Sequence, residues 1–268
     1  MKKIALMLFC ALILSSCENE KLLIVENTDI PLISKILIDG VSYYEYSYND
    51  ANLLIEEKNK FHYTKHNYND NNLLSSSEFY MDPAMFSSNS SVVEASLNRK
   101  EWVNPGNTAK SLTQTFEYNG NGQLARKIYT RPSVTNSEYS EFTFDNDRIS
   151  RQTMYWQNEM SFYVDYKYDE KGNLLKESKF HVPSTGISEL WTTTEYEYDI
   201  MHNPFQAFKR LISPSKYINP NNITKETYTI HFDVDQWTQK VQITTNSYEY
   251  DDNGYPIKVN GVAEYVYK

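Results

Sequence analysis

Along most of the chain, aromatic and polar positions alternate with a period of two. In "FYVDYKYD", Phe162, Val164, Tyr166 and Tyr168 fall on one face while Tyr163, Asp165 and Lys167 fall on the other. In "TTTEYEYD", Glu195 and Glu197 face away from Tyr196 and Tyr198. This is the signature of a strand with one buried face. At 3.6 residues per turn the same rings would scatter around a helix. Aromatic doublets spaced by two recur at Tyr46/Tyr48, His66/Tyr68, Phe116/Tyr118, Phe142/Phe144, Tyr166/Tyr168, Tyr196/Tyr198, Tyr248/Tyr250 and Tyr265/Tyr267.

Most doublets run into a polar turn and then a returning strand, as in "YKYDEKGNLLKE", "FEYNGNGQLARK", "YEYDDNGYPIKV" and "YSYNDANLLIEE". The Asp or Asn that opens the turn can accept from backbone amides two residues on. Gly122, Gly172 and Gly254 stand where a hairpin loop needs positive φ, and Asn52 and Asn72 replace glycine at the same place. One unit is therefore a hairpin. Two gaps between doublets are long, and "TYTIHFDVDQW" reads as a hidden unit in the second. About nine hairpins, or roughly 16 to 20 strands, follow from the period. A meander of that size must curl to protect its edges. The fold class expected is all-β, an antiparallel up-and-down meander rolled into a large barrel or half-barrel. Its outward positions include Glu117, Asp165, Lys167, Glu195, Glu197 and Glu249, which suit water and not hydrocarbon.

Composition agrees with a core built from amphipathic residues. Of 268 residues 23 are Tyr, 12 are Phe and 4 are Trp, and mean hydropathy is −0.64. The net charge of −9, with no basic cluster, argues against a nucleic-acid partner.

The opening "MKKIALMLFCALILSSCENE" has a basic start, an apolar run from Ile4 to Leu14 and small residues before Cys17. The run is too short to span a membrane and reads as a signal peptide over 1–16. "LSSC" resembles the lipobox of bacterial lipoproteins, which implies lipid on Cys17 and a membrane partner through that lipid. "ENE" after Cys17 resembles an acidic export signal of Bacteroidetes-type surface lipoproteins. Residues 17–30 are then a tether, and 31–268 a single repeat-built β domain. With Cys10 lost and Cys17 lipidated, no thiol is left for a disulfide or a zinc site.

The "YxYDxxGxL" units resemble the tyrosine-aspartate repeats of the RHS type. Together with the lipobox and "HNPF…NPNNIT" they resemble a Bacteroidetes-type lipoprotein family of unknown function described as porin-like. That resemblance implies an outer-membrane location and a rolled sheet, and it carries over no catalytic residue.

Chemistry is sparse. His62 and His66 lie on one strand face about 13 Å apart and cannot share an ion; no HExxH or EF-hand pattern is present, so neither metal nor cofactor is expected. No nucleophile elbow or phosphate loop appears. The reading is a non-catalytic binding or scaffold module of the envelope, with glycan binding as one alternative and a glycan-active enzyme as another. Trp102, Trp156, Trp191 and Trp237 are the candidate stacking rings, and their placement discriminates between these readings. The long links 81–110, "RPSVTNS", "HVPSTGISEL" and "SPSKYINPNN" are expected at the end opposite the turns. They would form a rim whose contacts to a glycan or envelope protein are Trp102, Tyr217 and Asn221.

Overall fold

The structure is a computed structural model that describes residues 30–82, 108–211, 219–232 and 240–268. Its strands are β1 Ile33–Ile38, β2 Val41–Tyr48, β3 Leu54–Lys58, β4 His62–Tyr68, β5 Leu74–Met81, β6 Ala109–Tyr118, β7 Leu124–Thr130, β8 Glu138–Asp145 and β9 Arg148–Trp156. They continue as β10 Glu159–Tyr168, β11 Leu174–His181, β12 Glu189–Tyr198, β13 Ile223–Ile230, β14 Val241–Thr245, β15 Tyr248–Tyr250, β16 Pro256–Val259 and β17 Ala263–Tyr267. Each strand from β1 to β13 pairs antiparallel with the next. The ladder resumes through β15, β16 and β17, and β17 pairs with β1. The meander thus returns to its first strand. β14 and β15 are two pieces of one extended run, the first bonded to β13 and the second to β16.

The hairpin turns follow one plan. Asn49, Asn69, Asn119 and Asp251 each accept two backbone amides of their own turn on one side-chain oxygen. The residue that closes the turn is left-handed: φ is 57° at Asn52, 58° at Asn72, 76° at Gly122, 101° at Gly172 and 79° at Gly254. A register shift follows in every unit, as where Lys167 opposes Lys176 but Tyr168 opposes Leu174. The skipped residue is a bulge, which adds the twist a rolled sheet requires.

The doublet tyrosines, the last of the pair in six cases and the first, Tyr248, in one, use their hydroxyls to bond a neighbouring strand's backbone. Tyr48 donates to the Ile33 carbonyl, Tyr68 to Leu54, Tyr118 to Leu74, Tyr168 to Ile149, Tyr198 to Leu174, Tyr248 to Ile223 and Tyr267 to Pro256, all at 2.6–2.9 Å. In five of these seven the acceptor is the first residue of the strand returning from the preceding turn. Each unit therefore latches onto its neighbour next to the bulge, where the ladder is interrupted. Phe144 has no hydroxyl and makes no such latch.

The apolar core sits at this turn end. Ile33, Ile36, Tyr46 and Leu54 form one buried cluster with Phe208, and Leu74, Phe116, Leu124, Phe142 and Ile149 form another. The outward face carries ion pairs: Lys176 with Glu195 at 2.7 Å, Lys225 with Glu197 at 2.7 Å and Arg151 with Asp165 at 2.5 Å. These positions do not fit contact with hydrocarbon.

At both long gaps between doublets the flanking strands pair directly with each other, so neither gap adds a strand to the ladder between them. The first is the link from Met81 to Ala109, two residues that pair with each other. The second is an enlarged turn between Tyr198 and Ile223, after which β13, β14 and β15 complete an ordinary unit. The start of "TYTIHFDVDQW", Thr227–Ile230, is thus the end of the returning strand β13 and does not open a hidden unit, and 233–237 lie outside the described residues.

Candidate binding site in the barrel lumen

The enlarged turn makes a floor. Pro204–Leu211 is a 3-10 helix inside the turn end. Phe208, 1% exposed, packs against Tyr46 and Tyr48 with ring centroids 5.0 and 6.2 Å away, and Phe205 meets Tyr265 at 5.9 Å. Leu211 touches both apolar clusters. Off the ladder, the peptide groups of this segment need other partners, and asparagines supply them. Asn203 donates to the Asn219 carbonyl, and Asn219 accepts from the Leu174 amide. Asn173 donates to the Asn221 side chain and accepts from the Asn221 amide. Asn222 donates to Asp199, which also accepts from Tyr250.

Asn221 is accordingly a correction. It is buried at the turn end, bonded to Asn173 and to the Met201 carbonyl, and not on the opposite rim. The reason is topological: β12 ends and β13 begins at the turn end, so the chain between them must lie there. Cys17, Trp102 and Tyr217 lie outside the described residues.

Above the floor the inward face turns polar. His66 bonds Ser77 at 2.8 Å, and burial holds its pKa down to about 4. Tyr166 donates to Gln152, which donates to Ser140, which also meets the Tyr129 hydroxyl. Tyr196 donates to Glu177 at 2.8 Å. Burial raises the Glu177 pKa; the Tyr196 hydrogen bond opposes that rise and the nearby Glu226 charge adds to it. A carboxyl so placed holds its proton more readily than an ordinary glutamate. Lys127 also points inward, its ammonium 5.2 Å from the Tyr129 ring and 5.8 Å from Phe142.

At the mouth, away from the floor, an aromatic row crosses three adjacent strands. His181 at the end of β11 stacks on Trp191 of β12 at 4.1 Å, and Trp191 meets Phe232, just beyond β13, at 5.4 Å. Lys179 lies 4.1 Å over the Phe162 ring and 5.8 Å from Trp191. Among the described residues, Lys179 and Lys127 have no carboxylate within ion-pair distance, as is also true of Lys65 and Lys167 on other strands, whereas Lys35, Lys58, Lys110, Lys176, Lys225 and Lys258 are paired. His231 bonds Thr193 at 3.0 Å. Trp156 is exposed at the neighbouring β9–β10 hairpin.

Trp191 and His181 were visible in sequence as members of short sets. Glu177 and Lys179 were not, because the bulge after Leu174 reverses the parity of β11. Strict alternation from Leu174 puts both residues outside, while the register opposes Glu177 to Tyr166 and Lys179 to Val164, on the inward face.

Fold and site together define an antiparallel meander rolled into a barrel or half-barrel, with a helical floor at the turn end and a polar, aromatic-rimmed inward face. No protein-family model matches the chain, and no curated protein matches it in sequence. Among solved structures it is similar to a porin-like protein from Bacteroides uniformis, with 12% identity and a TM-score of 0.45 over 88% of this chain and 98% of that one. A porin-like protein from Bacteroides vulgatus gives 11% and 0.40 over 89% and 99%. A structure of TcdB2-TccC3 gives 12% and 0.31 over 83% of this chain and 10% of that one.

Proposed function

We propose that the protein is a non-catalytic binding module of the cell envelope that receives a glycan in the mouth of its barrel. In this reading residues 1–16 are removed, lipid on Cys17 anchors the chain, residues 17–30 are a tether, and the β domain from 31 onward presents the lumen. The observation that carries it is the row His181–Trp191–Phe232 beside Lys179, which has no carboxylate partner among the described residues. Aromatic rings give the apolar faces of sugars a surface to pack on, and a lysine without a carboxylate partner favours an acidic substituent.

The test is an array of neutral and acidic glycans probed with wild type, Trp191→Ala and Lys179→Ala. Binding lost in the first variant, and weakened for acidic glycans in the second, supports the reading. Binding that survives both, or no binding at all, moves the protein to the scaffold class. A glycan-active enzyme is the second reading, favoured by Glu177 with its Tyr196 bond and its Glu226 neighbour. Release of reducing ends that disappears in Glu177→Gln would select it.

A further inference from the structure

Among the described residues, the outer wall contains a strand, β14, with one edge that no other strand covers. β14 bonds β13 on one side only. The Ile230 amide donates to the Lys240 carbonyl and the Asn246 amide to the Thr224 carbonyl. In an antiparallel ladder the residues in step with these, Gln242 and Thr244, turn their backbone groups toward β13. Val241, Ile243 and Thr245 therefore turn theirs to the open side. The β16–β17 hairpin fills that side only below this level. Asn260 at its tip bonds Ser247 and Asn246, and the chain beyond turns back into β17.

The side chains match the open backbone. All of β14 is exposed, Val241 by 42% and Ile243 by 60%, and no residue from Val241 to Ser247 is charged. Val262, in the β16–β17 link just past Asn260, is also exposed. Natural sheets protect such an edge with lysine, proline or a cover, and β14 contains neither of these residues.

We infer that β14 is an interaction surface for a second copy of this chain, paired edge to edge about a two-fold axis at Ile243. The register selects that partner. In an antiparallel pair centred on Ile243, Ile243 meets itself and Val241 meets Thr245 of the other copy. Every open N–H then faces an open C=O, with no charge opposite a like charge. The arrangement is isologous and closes as a dimer. It leaves the lumen untouched and is independent of what binds there.

The test uses the full chain with Cys10 and Cys17 replaced by serine. Ile243→Cys should form a symmetric disulfide dimer on mild oxidation, because such a pair brings the two Cα atoms within disulfide range. Lys167→Cys, outward on β10, should not. Sedimentation should show a concentration-dependent dimer that becomes monomeric in Ile243→Lys and in Ile243→Pro. The proline removes an open amide and no β13 bond, so its melting temperature reports whether the fold survives. Ile243→Lys supplies the same readout if the proline variant unfolds. A monomer at every concentration overturns the inference. So does a dimer indifferent to both substitutions, or protection of β14 only by an unrelated polypeptide.

Discussion

The Tyr198 hydroxyl reaches the Leu174 carbonyl at 2.7 Å, tying the end of one hairpin's first strand to the start of the preceding hairpin's second. Leu174 is fully buried and its carbonyl lies beside a bulge. Without the hydroxyl that acceptor loses its side-chain partner. Tyr198→Phe should therefore cost about 1 kcal/mol, read as a lower denaturation midpoint at unchanged slope. Phe144, which naturally lacks the latch, should tolerate Tyr with no loss of stability.

Turn geometry gives a second outcome. Gly172 has φ 101°, and an added Cβ would come within 3.4 Å of Arg148 and 3.7 Å of Pro220. Gly122 has φ 76° and open space around it. Gly172→Val should cost at least ~1 kcal/mol, and Gly122→Val less, in thermal melts of the two variants. Equal melting temperatures for wild type and both variants would contradict the turn assignment.

The floor should matter more than any single turn. Phe208 fills the space between Tyr46, Tyr48 and Phe205. Its truncation to Ala removes a buried ring and leaves a cavity, at a cost of about 3–5 kcal/mol. Urea unfolding followed by tyrosine fluorescence measures it.

His66 links stability to pH. Its pKa falls from 6.5 to about 4 in the folded protein through burial. The unfolded chain thus binds a proton that the folded one refuses between these values. Stability should rise with pH across that window, by at most about 3 kcal/mol, and this group contributes no slope above it. His66→Gln should flatten the dependence between pH 4 and 6.5 in denaturant titrations. A slope unchanged by the substitution would place the proton elsewhere.

Much of this architecture could be read from the chain because one physical unit repeats. Tyr168, Asp169, Gly172 and Leu174 each state a local requirement: latch, turn acceptor, left-handed residue and buried strand start. The same requirements recur around the barrel. The floor was hidden because "DIMHNPF" and "NPNN" depart from the unit, and a long gap reads equally as a lost hairpin or an insertion. Asn221 looked like a loop residue because its partner, Asn173, lies 48 positions away. Lys179 looked outward because a bulge shifts parity without leaving a mark of its own in the sequence.

The sheet has an inside only if its last strand meets its first. Leu37 on β1 and Glu264 on β17 are Cα partners in that ladder. With Cys10 and Cys17 replaced by serine, the Leu37→Cys/Glu264→Cys chain offers only these two thiols. Disulfide mapping by mass spectrometry after mild oxidation reads the contact directly. The account predicts a bond between positions 37 and 264 within one chain, formed in the folded monomer and absent after unfolding in denaturant. Two free thiols under the same conditions, or bonds found only between chains, would contradict it.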